Sequence, residues 1–344
     1  MTGVVLQAVA QPGSADDARL QASYKQAKEE FAAFEKEHGA FIQTENVNMH
    51  YLRWGNPANP CLIWAHGSMN SAYELMHVAD SLAKAGFYVL AIDYYGHGQT
   101  PLPLQDVSLY HVADDIRFLM DHLSIERAFI GGFSRGGYVA TAFYDSYPER
   151  VLGLVLEDGG SVAANTHYHK LSPEVLNRKA LEFTRGKEDP WERDFETEYD
   201  AYKTLYEIDG DQTDFSVFSL INKKESGKWS VVYGDMMSLF HLGNAQQFLN
   251  LALRPSLVPL FARSMILMDP VMIFRKLHVP VLILDPVSDD DPMPFEKENL
   301  ALKDQHPGLM DHIVYEDTGH NIHYEHPERF TSDVVRFMRK VLPD

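Results

Sequence analysis

The feature that most constrains the fold is an alternation of short apolar runs with helical patterns. Four runs have the length and apolar character of buried strands, and each of the first three is followed by apolar residues at helical spacing. Parallel neighbouring strands need crossover connections, so this alternation predicts an α/β fold with a mostly parallel central sheet flanked by helices. The runs are residues 61–64, 88–92, 128–130 and 151–156, and they follow two shorter strand candidates at residues 41–44 and 47–54.

The alternation stops near Ser161 and resumes only at Val279. The interval is mostly helix-like and too long for a loop in a compact domain, which predicts an inserted helical subdomain. Two further strands, at residues 281–284 and 312–315, and a final helix from about Phe330 complete the pattern. The predicted division is an N-terminal tail and helix at 1–40, a core at 41–160 and 276–344, and an insertion at 161–275.

The N-terminal segment predicts an amphipathic helix over residues 16–38. Its apolar residues recur at intervals of three and four, at Leu20, Tyr24, Ala27, Phe31 and Phe34. Such a stripe most often packs on the body of its own chain, and the alternative is that it forms a homodimer.

Composition excludes several functional classes. A net charge of −19, from 30 basic and 49 acidic residues, repels phosphate backbones and therefore argues against a nucleic-acid partner. No apolar run approaches the roughly 20 residues that a membrane span needs. A single cysteine, Cys61, rules out a disulfide framework within the chain and predicts a cytoplasmic location, with export as the alternative.

The strongest chemical signal is the G-x-S-x-G pattern Gly132-Phe133-Ser134-Arg135-Gly136, which lies between the third strand candidate and a helix. A nucleophile on a sharp strand-to-helix turn needs small flanking residues because strand and helix approach closely there. The following helix presents backbone N–H groups toward developing negative charge. An ordinary glycine-rich turn is the alternative, and the strand-turn-helix context favours Ser134 as the nucleophile.

A serine hydroxyl needs a base, and His320 is the predicted one. It follows the last strand in a glycine-containing loop, with His323 and His326 as competitors. The orienting carboxylate is predicted within the cluster Asp289, Asp290 and Asp291, with Asp158 as the weaker candidate.

Two backbone amides are predicted to stabilise an oxyanion. His66-Gly67-Ser68-Met69 follows the first of the four strands, so the donors are expected to be the amides of Ser68 and Arg135. The segment at residues 93–98 is interpreted as a structural turn, without a catalytic role for His97.

These motifs together resemble the α/β-hydrolase fold family. That family has a His-Gly oxyanion segment, a D-x-x-G-H-G turn and a G-x-S-x-G nucleophile turn, and all three occur here in this order. The resemblance selects His320, in a Gly-His loop followed by Glu-His-Pro. It also implies an acid before Pro294, where counting back four residues gives Asp290 and counting forward from Pro280 gives Asp289. The insertion would then be a helical cap over the site.

The resemblance implies a serine hydrolase. Branches of the family that open epoxides or remove halide need an aspartate at the position of Ser134, so acyl chemistry remains: hydrolysis of a carboxylic ester or lactone of a small, largely apolar substrate. This chemistry needs no metal and no organic cofactor. The alternatives are a carbon-carbon bond hydrolase of dienoic substrates, which would need basic cap residues such as Arg178, Arg254 and Arg263, or a hydroxynitrile lyase or ligand-sensing receptor that retains the triad.

Overall fold

The computed structural model describes residues 14–184, 194–210, 213–231, 239–288, 291 and 293–342. Its centre is an eight-stranded sheet in the order β1-β2-β4-β3-β5-β6-β9-β10. The strands are β1 (Gly39–Gln43), β2 (Asn48–Trp54), β3 (Cys61–Ala65), β4 (Tyr88–Ile92), β5 (Ala128–Phe133), β6 (Val151–Glu157), β9 (Val281–Val287) and β10 (Met310–Glu316).

The sheet is mostly parallel, as the alternation predicted. β3, β4, β5, β6, β9 and β10 pair in parallel, whereas β2 pairs antiparallel with both β1 and β4. The helices that accompany the sheet are α1 (Ser14–His38), α2 (Met76–Lys84), α3 (Leu109–His122), α4 (Arg135–Ser146), α11 (Glu296–Gln305), α12 (Ile322–Glu325) and α13 (Pro327–Val341).

Both faces of the sheet are covered by apolar layers. β3 is fully buried along its length, as expected for a strand with covered faces. One buried cluster packs α3, α4 and part of the segment after β6 on one face, and a second packs α2 and α13 on the other. The carboxyl ends of the parallel strands therefore meet at one rim, where their loops lie close together.

The segment between β6 and β9 contains both helices and a small hairpin, so the prediction of a mostly helical insertion omitted two strands. β7 and β8 pair antiparallel with each other and are separate from the main sheet. We call this segment the insertion. Its elements are α5 (Thr166–His169), α6 (Pro173–Thr184), α7 (Glu198–Asp209), β7 (Ile221–Lys223), β8 (Trp229–Val231), α8 (Ala245–Leu253), α9 (Leu260–Leu267) and α10 (Pro270–Ile273).

Helix α1 packs on its own chain. Tyr24 and Phe31 contact Phe218 of the insertion, and Phe34 contacts Tyr73 and Trp54 of the core. The apolar stripe thus has an intramolecular use, because it fills the space between the sheet and the insertion; homodimer formation stays a prediction.

None of the helices in the described ranges combines the length and apolar character that crossing a bilayer requires.

Candidate active site

Ser134 lies on the sharp turn that the motif predicted, between the end of β5 and the first residue of α4. Its backbone has φ 52° and ψ −117°, in a region that side chains other than glycine rarely occupy. Two backbone hydrogen bonds hold this conformation: the Ser134 amide donates to Glu157 O over 2.8 Å, and Ser134 O accepts from the Gly137 amide over 3.0 Å. The turn is therefore fixed by the neighbouring strand β6 as well as by its own helix.

The flanking glycines are required by close backbone approach. A Cβ on Gly132 would overlap the backbone of Gly136, and a Cβ on Gly136 would overlap Ala65 O at the end of β3. A Cβ on Gly159 would overlap the Ser134 carbonyl. Strands β3, β5 and β6 thus converge on the turn with no room for side chains.

His320 lies against this turn. Its ring centroid is 4.6 Å from that of Phe133, the residue before Ser134, although 186 positions separate Ser134 and His320 in the sequence. The His320 side chain keeps 28% exposure, which leaves the imidazole accessible from outside. The structure brings the predicted nucleophile and base to the same rim of the sheet.

The two competing histidines are engaged elsewhere. His323 is buried, and its Nδ1 donates to both carboxylate oxygens of Glu157 at 2.8 Å. His326 Nε2 lies 3.0 Å from Thr318 Oγ1, within the loop that carries His320. Among these three histidines, only His320 contacts both Phe133 and the adjacent Asp158.

Asp158 is the described carboxylate that contacts His320. It directly follows β6, its side chain is 1% exposed, and its Oδ2 accepts a hydrogen bond from His320 Nδ1. The sequence prediction preferred Asp290, which lies outside the described residues together with Asp289. The preference for Asp290 therefore stays a prediction, and among the described carboxylates the weaker candidate Asp158 is the one that pairs with His320 Nδ1.

Asp291, the described member of the predicted acid cluster, is close to the pair without contacting His320 through a hydrogen bond. Its Oδ1 accepts from the Met293 amide over 2.7 Å, and its charge contributes to the raised pKa of both His320 and Asp158. Asp285 in β9 is fully buried and binds His312 over 2.6 Å. Among the described carboxylates, Asp158 alone pairs with His320, and Asp291 acts on this pair through its charge.

Burial and pairing set the protonation of the two groups. Burial, the largest cause, raises the pKa of Asp158 to about 7, while the hydrogen bond from His320 opposes this shift. Burial alone would lower the pKa of His320, but the hydrogen bond and charge of Asp158 outweigh it and raise that pKa. The pairing with Asp158 thus favours the protonated form of His320, which is the form that a base adopts when it takes a proton during a reaction.

The predicted oxyanion donors are adjacent. Ser68 belongs to the loop after β3, Arg135 is the first residue of α4, and Arg135 Nε donates to Ser68 Oγ over 2.9 Å. In that loop the Gly67 amide donates to Glu74 over 3.0 Å, and the Met69 amide donates to His97 Nε2 over 3.3 Å. The Ser68 amide lies between these two engaged amides in the chain, and the Ser68 side chain contacts the first residue of α4, whose first N–H groups have no partner within the helix.

Buried polar groups beneath the loops fix their positions. Glu74 accepts from the Gly67 amide and from Trp64 Nε1, and burial raises the pKa of Glu74 to about 7. Glu157 anchors the loop after β10 by accepting from the amide of His323 over 2.9 Å. The sequence analysis did not identify Glu74 or Glu157 and ranked Asp158 below the cluster at residues 289–291; the run Glu157-Asp158-Gly159-Gly160 at a strand end next to β5 is the signal for these residues.

None of the three arginines of the insertion that were named for a carbon-carbon bond hydrolase, Arg178, Arg254 and Arg263, is fully buried. Arg178 has a side chain that is 65% exposed, and Arg254 is exposed as well. The described part of the chain also holds no group of three or more His, Cys, Asp or Glu side chains arranged to bind a metal.

Known proteins resemble this chain in sequence and in fold. A family model described as alpha/beta hydrolase fold matches residues 60–327. The chain is 30% identical over 184 residues to the dihydrolipoyllysine-residue acetyltransferase component of an acetoin cleaving system from Pseudomonas putida, covering 51% of this chain and 50% of the relative. It is 30% identical over 140 residues to bifunctional epoxide hydrolase 2 from Sus scrofa, covering 40% of this chain and 24% of the relative.

The chain therefore spans half or less of the length of these two curated relatives. Among solved structures, Est816, described as an N-acyl homoserine lactone degrading enzyme, superposes with a TM-score of 0.57 at 18% identity. That superposition covers 87% of this chain and 100% of the other, and at this identity it is a likeness of fold.

Proposed function

The chain belongs to the alpha/beta hydrolase fold family, and from this premise we propose that Ser134, His320 and Asp158 form a catalytic triad that hydrolyses a carboxylic ester or lactone. Membership of the family, together with its relatives, supports a hydrolase. The observation that carries the finer proposal is the pairing of His320 with Asp158 directly beside the strained turn at Ser134. A nucleophile, a base and an orienting acid in this arrangement perform acyl transfer on unrelated folds.

The proposed reaction has two halves. Ser134 Oγ attacks the carbonyl carbon while His320 takes its proton, and the resulting imidazolium gives that proton to the leaving alkoxide as the acyl-oxygen bond breaks. Water then attacks the acyl-enzyme with His320 as base, and its proton returns to Ser134 as the free acid leaves. Asp158 stabilises the imidazolium in both halves because its carboxylate accepts from Nδ1.

The proposed oxyanion donors are the backbone amides of Ser68 and Arg135. Their loops are held together by the hydrogen bond from Arg135 Nε to Ser68 Oγ, so the two amides keep their positions before substrate binds. Donors that are fixed in advance stabilise the transition state without reorganisation at the moment of reaction.

The insertion is proposed to act as a cap over the substrate. Phe240 and Phe261, both in the insertion, stack near the Arg135 side chain and are buried. Aromatic walls next to the nucleophile favour a small substrate with apolar parts. The epoxide hydrolase relatives do not change the proposed class, because Ser134 stands where the epoxide-opening branch needs an aspartate.

The proposal is tested by replacing the nucleophile. We expect Ser134→Ala to lower kcat on aryl esters and lactones by at least about a thousandfold, because His320 would have no hydroxyl to activate. Ser81→Ala, at an exposed position on α2, is the matched control and should turn over at the normal rate. Turnover of the Ser134→Ala protein at a near-normal rate would remove Ser134 from the mechanism, and a wild type that binds esters without turnover would favour a receptor.

A further inference from the structure

Arg135 is a buried cation without an acidic partner. Its side chain is 5% exposed, and no described carboxylate forms an ion pair with it. Nη1 is buried and has no hydrogen-bond partner among the described residues. Its electrostatic neighbours are the phenols of Tyr94 and Tyr138, which are neutral at pH 7.

The groups in direct contact with the guanidinium are also uncharged. Its Cζ lies 3.9 Å from the ring centroid of Phe240 and 5.8 Å from that of Phe261, and Nε is held by Ser68 Oγ. Burial lowers the pKa of Arg135 to about 10, so the side chain remains protonated at neutral pH. A desolvated cation is costly unless an anion compensates it, and here the described protein supplies none.

The Arg135 guanidinium belongs to the residue that follows the proposed nucleophile. Arg135 follows Ser134 directly, so their Cα atoms are about 3.8 Å apart, and the guanidinium lies between the oxyanion loop and the insertion. Arg135 is therefore the residue next to the proposed nucleophile, and its guanidinium contacts rings of the insertion that is proposed to cover the substrate. The chain has a net charge of −19, so its overall field does not attract anions, and a local cation is needed to hold one.

We propose that Arg135 binds a carboxylate of the substrate, so that the enzyme acts on esters or lactones that carry a free carboxylate near the scissile bond. This inference rests on the proposed function and narrows it. The aromatic rings of Phe240 and Phe261 then contact the apolar part of the substrate and exclude water from the ion pair. A planar guanidinium with an unused N–H group matches carboxylate geometry.

The experiment compares matched anionic and neutral substrates. For the acyl side, phenyl hydrogen adipate is compared with phenyl hexanoate; for the alcohol side, butyryloxyacetate is compared with its methyl ester. The readout is the ratio of kcat/KM for the anionic member to that for the neutral member. Both substrates of a pair are hydrolysed by the same triad, so a general loss of catalysis lowers both kcat/KM values equally and leaves their ratio unchanged.

We expect Arg135→Met to lower this ratio at least about tenfold in one of the two series, since it removes a charge-assisted hydrogen bond. Arg135→Lys keeps the charge without the planar fork and should give an intermediate ratio. Arg178→Met removes the same charge from a 65% exposed position in the insertion and should leave the ratio within about twofold. Equal losses for anionic and neutral substrates in both series would overturn the proposal and assign Arg135 a structural role.

A binding measurement separates this inference from the proposed function. Calorimetric titration of adipate is performed with the Ser134→Ala protein and with the double variant Ser134→Ala, Arg135→Lys, whose folding is checked by thermal unfolding. Weaker adipate binding by the double variant, at least about tenfold, supports the anion site even if the wild type hydrolyses no ester. Ester hydrolysis that depends on Ser134, combined with adipate binding that does not depend on Arg135, would overturn the anion site and leave the triad intact.

Discussion

Asp158 and Ser134 both occupy left-handed backbone conformations, with φ 42° and 52°. Each such residue costs on the order of 1–3 kcal/mol, so the surrounding structure must enforce it. The two positions are adjacent in space because the Ser134 amide donates to Glu157 O, the carbonyl that precedes Asp158. The strain is thus concentrated where the proposed acid and the proposed nucleophile must point in defined directions.

The choice of acid is testable at single residues. We expect Asp158→Asn to lower kcat about a thousandfold or more, because His320 would lose its orienting acceptor and the stabilisation of its cation. Asp291→Asn, which removes a nearby charge that does not bind His320, should cost less than about tenfold. Parallel measurement of Asp290→Asn decides the alternative, since the largest loss at position 290 would restore the preference based on the sequence.

At the scale of elements, the site depends on how closely β5, α4 and the neighbouring strands approach. β3 ends against the first turn of α4, and the start of α4 follows β5 after a single residue. This packing sets the direction of the Ser134 side chain and brings the Ser68 loop to Arg135. Glycine at positions 132, 136 and 159 is therefore a requirement of the architecture.

We predict that Gly132→Ala destabilises the fold by about 3 kcal/mol or more, because its Cβ would overlap the Gly136 backbone, which cannot move without shifting α4. Gly243→Ala is the matched control. The nearest atom there is Gln247 Oε1 at 3.1 Å, the end of a flexible side chain, so we expect a cost below about 1 kcal/mol. Urea unfolding of both variants measures the difference, and equal stability would mean that the turn tolerates expansion.

At the scale of the whole molecule, a buried polar network joins the N-terminal helix to the sheet. His50 on β2 donates from Nδ1 to Asp93 over 2.6 Å, and its Nε2 lies 3.2 Å from Glu35 on α1. Asp93 also accepts from the Ala72 amide over 2.6 Å, which ties the network to the segment after the oxyanion loop. The structural interpretation of the turn at residues 93–98 agrees with this arrangement.

The network predicts a dependence of stability on pH. Burial alone lowers the pKa of His50, but Asp93 and Glu35 outweigh it and raise that pKa to about 9. A raised pKa in the folded state stabilises the protein fully below pH about 6.5, and this contribution is lost as pH rises through about 9. We expect the free energy of unfolding of the wild type to fall over this interval by about 2 kcal/mol more than that of His50→Gln.

His122→Gln is the matched control, since His122 is exposed at the end of α3. Urea titrations at pH 6, 7.5 and 9 test the prediction by comparing both variants with the wild type. Parallel pH profiles for the wild type and the His50→Gln protein would mean that folding does not raise the pKa of His50.

The sequence by itself determined the fold class, because the spacing of apolar runs and helical patterns is local and leaves few arrangements for a covered parallel sheet. It also determined the turn at Ser134, because the glycines that the turn requires lie within the five consecutive residues 132–136. The prediction of His320 as the base rested on chain order, because its loop comes after the last strand. The structure confirms the predicted parallel sheet, and it brings Ser134 and His320 to one rim of that sheet.

Only the tertiary structure showed which of the described carboxylates contacts His320, and which buried cation lacks an ionic partner among the described residues. The contact between Asp158 and His320 joins residues 162 positions apart, and Asp158 adopts a backbone φ of 42° directly after β6. The isolation of Arg135 depends on rings contributed by the insertion more than a hundred residues later. Spacing along the chain encodes local geometry, whereas pairing and desolvation of charges arise only when distant segments pack together.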